Sequence, residues 1–177
     1  GNPVLFLDVT GPSDIHTVAL HDARPIYNGA WTVLKFLYPQ AQVPVFQVSI
    51  DMGRGLEHQL EVGRTLAQLR DRGVLILGSG NVVHNLRAMR FGGQPQDFAL
   101  EFDRLFADRL EARDLKPLAD APGLGSLLRM AHPTVDHYLP ALTIAGASDG
   151  RDQLTFMTDA IDLGSVSMRS FVFHQVA

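Results

Sequence analysis

The sequence predicts an α/β protein, a three-layer sandwich in which helices flank a central sheet that is largely parallel or mixed. One observation is a strong amphipathic helix that lies between two apolar, β-prone segments with short connections. A strand, a helix and a strand joined in this way form a βαβ unit, which places the two strands parallel. A second observation is the composition, with 46% hydrophobic and 19% charged residues, which favours a packed core over disorder.

Short apolar segments define the N-terminal elements. Residues 3–7 are apolar and β-prone, so a buried strand is expected there. Residues 8–28 contain glycine, proline and charged residues without a clear period, which predicts a loop-rich stretch. Residues 29–38 have helical spacing. Residues 43–50 form the clearest strand, with Pro44 near its start, where a strand tolerates proline.

The helix of the βαβ unit follows this strand. It has apolar residues at i, i+4, i+7 and i+11 from Leu56, and its charged residues fall on the other face. Gly73 is placed to end the helix in the left-handed conformation that glycine favours. Residues 74–77 form a continuous apolar run, which predicts the next buried strand.

The second half is predicted to contain three further helices and two strands. Residues 97–113 form an amphipathic helix with an aromatic face. Another helix covers residues 139–145, with Thr134 as its candidate cap, although Pro140 should kink it or force an early start. The other elements are a helix at residues 122–130 and strands at residues 154–157 and 166–173. No linker or repeat divides the chain, so residues 1–177 are expected to form a single domain.

The charge and the residue types exclude several classes of function. The net charge is −4 and no basic stripe is present, which argues against nucleic-acid binding. The chain has no cysteine, so any metal must be bound by imidazole or carboxylate groups. No apolar run approaches the roughly 18 residues that span a bilayer. We therefore expect a soluble, cytoplasmic protein without a membrane partner, with a homodimer as one possible assembly.

Two histidine segments are the strongest functional signals. His84 lies in Gly78-Ser-Gly-Asn-Val-Val-His84-Asn-Leu-Arg87, just after the apolar run 74–77. Open α/β sheets bind ligands at the carboxyl ends of their strands, which is where this histidine is expected. His137 lies in Pro133-Thr-Val-Asp-His137-Tyr-Leu-Pro140, at the entrance to an apolar helix. Two imidazoles from separate elements predict a metal site if they converge.

Other interpretations of the histidines and glycines remain open. Gly78 and Gly80 after a strand are also typical of a phosphate-binding turn, although a third glycine and a lysine are missing. The same glycines could allow a tight turn that presents His84. His132 is interpreted as a turn residue rather than a ligand. His58 and the glutamate one turn later have a spacing that metals use, but their polar helix face favours a solvated pair.

Five segments keep a fixed order along the chain, namely residues 29–39, 43–50, 78–87, 133–140 and 164–171. The block from Gly78 to Arg87 is the most specific of them. A single segment would be weak evidence of kinship, whereas five in order are strong evidence. Together they resemble the class III extradiol ring-cleavage dioxygenases, specifically the branch that includes the DOPA 4,5-dioxygenases.

The resemblance implies a mononuclear, non-haem iron(II) centre that uses dioxygen to open a catechol ring, DOPA-like in this branch, and zinc can occupy the same site. It implies that His84 and His137 belong to the metal and acid–base constellation. His84 is the candidate catalytic residue, and which histidine binds the metal and which transfers the proton stays open. Imidazole suits proton transfer because it titrates near neutral pH. Asp136 is expected to hydrogen-bond an imidazole and fix its tautomer. Asn85 and Arg169 are expected to contact the substrate, Arg169 through a carboxylate.

The N-terminal part departs from the family pattern. Family members have a His-Gly-Ser/Ala-Pro turn after the first strand, whereas Asp8-Val-Thr-Gly-Pro12 follows here without a histidine. A Ser-x-His-Trp segment has no counterpart, and Tyr27-Asn28-Gly29-Ala30-Trp31 stands where the family has Asp-His-Gly-x-Trp. Missing or rearranged sequence is the favoured explanation, and a homologue that has lost its metal is the other.

These departures leave two alternatives to a dioxygenase. The first is a metal-free or truncated relative that binds an aromatic or anionic small molecule without turnover. The second is a phosphate-handling enzyme that uses the loop at Gly78.

Overall fold

The computed structural model describes residues 4–8, 16–18 and 28–175. The strands are β1 (Val4–Asp8), β2 (His16–Val18), β3 (Val45–Ser49), β4 (Leu75–Gly78), β5 (Gln153–Thr158), β6 (Ile161–Asp162), β7 (Val166–Ser167) and β8 (Ser170–His174). The α-helices are α1 (Asn28–Leu37), α2 (Gly55–Leu66), α3 (Asp97–Glu111), α4 (Lys116–Ala119), α5 (Ala121–Ala131) and α6 (Leu139–Gly146). Two 3-10 helices cover Ala67–Arg72 and Leu86–Ala88.

The main sheet has four strands in the order β2-β3-β1-β4. β1 pairs in parallel with β3 on one side and with β4 on the other, and Val4 lies opposite Val45 and Leu75. β2 pairs antiparallel with β3, so the sheet is mixed, as predicted.

β2 lies within residues 8–28, the stretch predicted to be loop-rich, and was not itself predicted. The strand has three residues, which is too short for an alternating pattern to reveal it in the sequence. Residues 9–15 and 19–27 of the predicted loop lie outside the described residues.

Helices cover both faces of the sheet, which gives the predicted three layers. Successive side chains of a strand point to opposite faces. In β4, Leu77 packs against the core cluster that contains Leu34 of α1. A methyl group on Gly78, the next residue, would lie 2.8 Å from the Cγ1 atom of Ile144 in α6. α1 and α6 therefore lie on opposite sides of β4.

The larger core cluster lies between the helices of the second half and the C-terminal strands. α3 contributes Phe102, Phe106 and Leu110, which are fully buried on one face as the helical period predicts. Tyr138 packs edge-on against both phenylalanine rings. Burial of each such side chain contributes roughly 2–3 kcal/mol, so α3 is firmly anchored next to residue 138.

The helix of the βαβ unit has the predicted end. α2 continues into the 3-10 helix Ala67–Arg72, and Gly73 then adopts a φ of 78°. A left-handed glycine at this position lets the chain leave the helix without a Cβ clash. β4 follows two residues later and completes the unit.

Two predictions in the second half are wrong in detail. α6 begins at Leu139 with Tyr138 as its N-cap and no side-chain cap, so Thr134 is not the cap. Pro140 lies in the first turn of α6, where the missing N–H costs no helical hydrogen bond. The predicted strand at residues 166–173 is divided into β7 and β8, because β7 pairs with β6 whereas β8 pairs with β5. α4 was not predicted.

The structure also bears on the membrane prediction. No helix in the described ranges is both long enough and apolar enough to cross a bilayer. The single domain, the cytoplasmic location and the homodimer stay predictions.

Candidate active site

His84 is held by backbone hydrogen bonds on both sides of its segment. It lies beyond the carboxyl end of β4 and forms an isolated antiparallel bridge with Val166. The N–H of Ser167 donates to the carbonyl of Val83 at 2.9 Å on that side. On the other side, the N–H of His84 donates to the carbonyl of Ala131, also at 2.9 Å. The imidazole is therefore presented from a fixed backbone.

His137 lies in the turn before α6, directly against the glycine segment that follows β4. The N–H of Asn81 donates to the carbonyl of His137 at 3.1 Å. A methyl group on Gly80 would overlap this same carbonyl oxygen. Neither Gly78 nor Gly80 has a positive φ. These glycines therefore permit the close approach of two segments, and neither adopts the left-handed backbone conformation that favours glycine.

The glycine segment lacks the geometry of a phosphate-binding loop. Such a loop places the anion at the N-terminus of an α-helix. Here the next helical segment is the three-residue 3-10 helix Leu86–Ala88, and its first N–H groups are already bonded to the side chain of Asn85. The structure gives no support to the phosphate-handling alternative.

The rings of His84 and His137 stack on each other, with centroids 3.6 Å apart and an interplanar angle of 12°. The Oδ2 atom of Asp136 lies 3.7 Å from Nε2 of His137. This distance is too long for the hydrogen bond expected of Asp136, and the contact is electrostatic. Nδ1 of His137 and Oδ1 of Asp136 are buried without a hydrogen-bond partner. Such atoms cost free energy unless something binds to them, so they mark a candidate ligand site.

The environment of His84 favours its neutral form. Burial is the largest cause that lowers the pKa of His84 below its ordinary value of 6.5, and the positive charge of His137 lowers it further. Asp136 opposes both effects and raises this pKa. Because the net shift is downward, His84 is neutral at pH 7 and has an unprotonated nitrogen that can accept a proton.

His132 is a buried core group rather than a simple turn residue. Only 3% of it is exposed, and its Nε2 atom lies 2.7 Å from the carbonyl oxygen of Val82. Burial is the main reason that the pKa of His132 falls to about 4. His132 directly precedes Pro133 in the sequence, and nothing in this local pattern predicted that its side chain is buried.

Asn85, the predicted substrate contact, uses its side chain to fix the backbone. Its Oδ1 atom accepts hydrogen bonds from the N–H groups of Arg87 and Ala88. Its Nδ2 atom donates to the carbonyl of Met130 at 2.6 Å. A substrate would have to compete with these bonds, and the role of Asn85 in binding stays a prediction.

Arg169, the other predicted substrate contact, forms an ion pair with Asp103. Its Nε and Nη2 atoms donate to the two carboxylate oxygens at 3.0 and 2.6 Å. The side chains are only 11% and 8% exposed. The guanidinium also lies over the ring of Phe156, 4.7 Å from its centroid. These contacts fix the arginine in place, and binding of a substrate carboxylate by Arg169 stays a prediction.

Asp103 is a residue that the sequence reasoning missed. It also accepts a 2.6 Å hydrogen bond from the hydroxyl of Ser167, which is fully buried. The signal was present, because Asp103 occupies a position on the same helical face as Phe102 and Phe106. An acidic residue on an apolar helix face predicts a buried partner.

A cavity of about 800 Å³ lies beside the histidine pair rather than on it. β4, the glycine segment, α6, β8 and Arg169 line this cavity, whereas His84 and His137 do not. Gly80 belongs both to the cavity wall and to the contact with the carbonyl of His137. One end of the cavity therefore adjoins the turn that carries His137.

Comparison with known proteins identifies the family of this chain. Residues 13–173 match the family described as the catalytic LigB subunit of aromatic ring-opening dioxygenase. The chain belongs to the LigB family. This assignment confirms the resemblance to class III extradiol dioxygenases that the sequence segments predicted.

Individual relatives agree with membership of the LigB family. The 4,5-DOPA dioxygenase extradiol of Escherichia coli (strain K12) is 39% identical over 151 residues, which cover 81% of this chain and 54% of that protein. The enzyme of the same name from Beta vulgaris is 28% identical over 179 residues, which cover 98% of this chain and 66% of that protein. The chain thus spans between about half and two thirds of the length of these curated relatives.

A solved structure supports the same fold. The uncharacterized protein JW3007 from Escherichia coli K12 superposes with a TM-score of 0.74 and 27% sequence identity, over 96% of this chain and 84% of that chain. The predicted α/β fold class is therefore confirmed.

LigB-family extradiol dioxygenases are generally metal-dependent, and the described residues fit a metal only in part. The imidazoles of His84 and His137 and the carboxylate of Asp136 are donor types that iron(II) accepts. Across residues 4–8, 16–18 and 28–175, however, no three His, Asp or Glu side chains are arranged to hold a metal ion. The two rings are also nearly parallel, so lone pairs that lie in their planes do not converge on one point. A complete site requires a further donor or a rotation of one ring.

Two further histidines whose side chains the structure describes, His58 and His174, do not supply that donor. His58 lies 3.9 Å from Glu61 on a partly exposed helix face, as the solvated-pair interpretation predicts. The Nε2 atom of His174 lies 3.3 Å from the hydroxyl of Thr155, at the β5–β8 ribbon. His21 lies outside the described residues.

Proposed function

We propose that this protein is an extradiol ring-cleavage dioxygenase that acts on a DOPA-like catechol with iron(II) and dioxygen. The observation that carries the proposal is the pairing of His84 and His137. These residues come from two separate segments, and the centroids of their rings lie 3.6 Å apart. Membership of the LigB family supports the reaction class. The names of its relatives support a DOPA-like substrate.

The proton chemistry is assigned to His84. Ring cleavage begins with loss of a proton from a catechol hydroxyl, and a neutral imidazole accepts it at an unprotonated ring nitrogen. The lowered pKa of His84 supplies this neutral form at pH 7. The resulting imidazolium returns the proton to the ring-opened product, which contains both atoms of dioxygen. No net proton is consumed at His84.

The metal is assigned to His84 and His137, with the carboxylate of Asp136 beside them. Iron(II), when bound, supplies positions at which catechol and dioxygen meet and lets electron density pass between them. Nδ1 of His137 and Oδ1 of Asp136 are buried without a hydrogen-bond partner, and a cation bound beside them would satisfy both. A neutral imidazole has one free lone pair, so a histidine that binds the metal does not also accept the proton. If His84 is the ligand, His137 takes the proton chemistry instead.

The second candidate is a metal-free relative that binds an aromatic or anionic molecule without turnover. The absence of a three-donor cluster within the described residues favours it. The sequence after β1 also favours the metal-free candidate. Family members have a histidine in the turn after the first strand, whereas residues 8–12 of this chain contain none. The two candidates differ in metal content and in product.

Reconstitution with iron(II) under anaerobic conditions separates the two candidates. We expect about one metal ion per chain by elemental analysis, followed by a yellow ring-fission product when DOPA and dioxygen are added. His84→Ala should reduce the rate by about 100-fold or more, as expected for loss of an acid–base group. His58→Ala is the matched control, because His58 lies on a polar helix face, and it should leave the rate unchanged. Failure to retain metal and to form product contradicts the proposal and favours the binding protein.

A further inference from the structure

His132 lies between the two segments that carry the stacked histidines. Its ring is buried at the C-terminus of α5. It packs edge-on against Phe102, with ring centroids 5.3 Å apart. Nothing in the proposed chemistry uses this residue, and its burial keeps it away from solvent.

The first link runs from His132 to the segment of His84. The carbonyl of Val82 can only accept a hydrogen bond, so Nε2 of His132 donates to it at 2.7 Å and carries the ring proton. One residue earlier, the carbonyl of Ala131 accepts from the N–H of His84. Residues 131 and 132 therefore hold residues 82 and 84 through two adjacent hydrogen bonds.

The second link runs from His132 to the segment of His137. The ring of His132 stacks on Tyr138, with centroids 4.9 Å apart and an interplanar angle of 30°. Tyr138 is fully buried and its hydroxyl donates to the carbonyl of Leu118 at 2.9 Å. Because Tyr138 is the neighbour of His137 in the chain, a fixed Tyr138 fixes the turn that presents His137.

We propose that His132 is a positioning residue and that its hydrogen bond to the carbonyl of Val82 sets the stacked geometry of His84 and His137. It connects the two segments by different contacts, a hydrogen bond to one and a ring stack to the other. The hydrogen bond is the specific element, since any buried aromatic ring could supply the stack. Its importance for catalysis rests on the proposed function, whereas its effect on the ring pair does not.

Two substitutions separate the hydrogen bond from the ring stack. His132→Phe keeps an aromatic ring but replaces Nε2 with a carbon, which approaches a carbonyl oxygen only to about 3.3 Å or more. The segment of His84 must then move away from position 132. His132→Gln loses the ring but keeps an amide N–H donor close to the position of Nε2. His58→Phe is the control for a histidine outside the site.

The readout is the nuclear magnetic resonance signal of the ring protons of His84 and His137. Stacked rings shift each other's ring protons upfield, and this signature requires neither metal nor turnover. We expect the wild type, His58→Phe and His132→Gln to show the shift, and folded His132→Phe to lose it. If iron-loaded wild type turns over catechol, kcat of His132→Phe should fall about tenfold or more with little change in KM.

Either of two results overturns the proposal. One is a wild-type ring-proton shift that persists in folded His132→Phe. The other is loss of the upfield ring-proton shift in folded His132→Gln. This result contradicts the proposal even if His132→Phe does not fold. A wild type that lacks activity but shows the predicted shifts contradicts the proposed function and leaves the positioning role supported.

Discussion

The imidazole rings of His84 and His137 lie nearly parallel, at an interplanar angle of 12° and a centroid distance of 3.6 Å. Two positive charges at this distance repel each other strongly, so protonation of one ring disfavours protonation of the other. Burial adds to this effect and, as the larger cause, lowers the pKa of His84. The carboxylate of Asp136 acts in the opposite direction. The net downward shift leaves His84 neutral at pH 7.

Replacing Asp136 should change the pH dependence of activity in a defined direction. Asp136 raises the pKa of His84, so Asp136→Asn should lower that pKa further. A base acts when it is deprotonated, and kcat/KM therefore rises with pH through its pKa. We expect the acidic limb of the profile to lie below pH 6.5 in the wild type and at still lower pH in Asp136→Asn. The measurement is the rate of ring-fission product formation from pH 4.5 to 8.

Asp108→Asn is the control for this profile. The side chain of Asp108 is 63% exposed and pairs only loosely with Arg104, so the acidic limb should not move. A shift of the limb to higher pH in Asp136→Asn would show that the carboxylate does not stabilise the protonated imidazole.

Acid should destabilise the fold through His132. The pKa of this histidine is about 4 in the folded protein and 6.5 in an unfolded chain, so the unfolded state binds the proton first as pH falls. The stability that depends on neutral His132 is complete above pH 6.5 and is lost progressively toward pH 4. The loss amounts to about 3 kcal/mol in the free energy of unfolding. Urea denaturation at several pH values measures it.

His132→Gln carries no titrating group at this position and should show a correspondingly flatter pH dependence. Burial is the main cause of the lowered pKa of His132, the hydrogen bond to Val82 opposes it, and His84, His137 and Asp136 have smaller effects. An equally steep loss of stability in His132→Gln would assign the acid sensitivity to other groups.

Gly80 should be intolerant of any side chain. A methyl group at this position would overlap the carbonyl oxygen of His137. Gly80→Ala must therefore separate the glycine segment from the turn before α6, at a cost of about 3 kcal/mol in the free energy of unfolding. The ring-proton shifts of the stacked histidines should weaken as well. Gly150→Ala is the matched control because no atom lies within 4 Å of its added methyl group, and its stability should change by less than about 0.5 kcal/mol.

The ion pair of Arg169 and Asp103 should contribute far more to the free energy of unfolding than an ion pair on the surface does. Asp103→Asn leaves a guanidinium that is 11% exposed without its charged partner, which should cost about 3 kcal/mol. Arg104→Ala breaks a pair whose side chains are 84% and 63% exposed, and should cost about 0.5 kcal/mol or less. Chemical denaturation of both variants gives the comparison. Equal costs would mean that the buried pair is solvated in solution.

Local patterns predicted most of the elements and the positions of the candidate histidines. Period-3.6 apolar faces located α2 and α3 because each helix buries one stripe. Glycine at residue 73 marked a helix end because few other residues adopt its φ of 78°. The short strand β2 and the division of residues 166–173 into β7 and β8 were not predictable, since both depend on which strands pair.

The sequence by itself determined the fold class, the family and two histidine segments, because these follow from periodicity and from motifs in a fixed order. Only the tertiary structure decided that the rings of His84 and His137 stack, that Arg169 pairs with Asp103, and that His132 is buried. The physical reason is that each of these contacts joins segments distant in the chain. Their distances are set by the packing of α3, α5 and α6 against the sheet and the C-terminal strands, which no local pattern encodes.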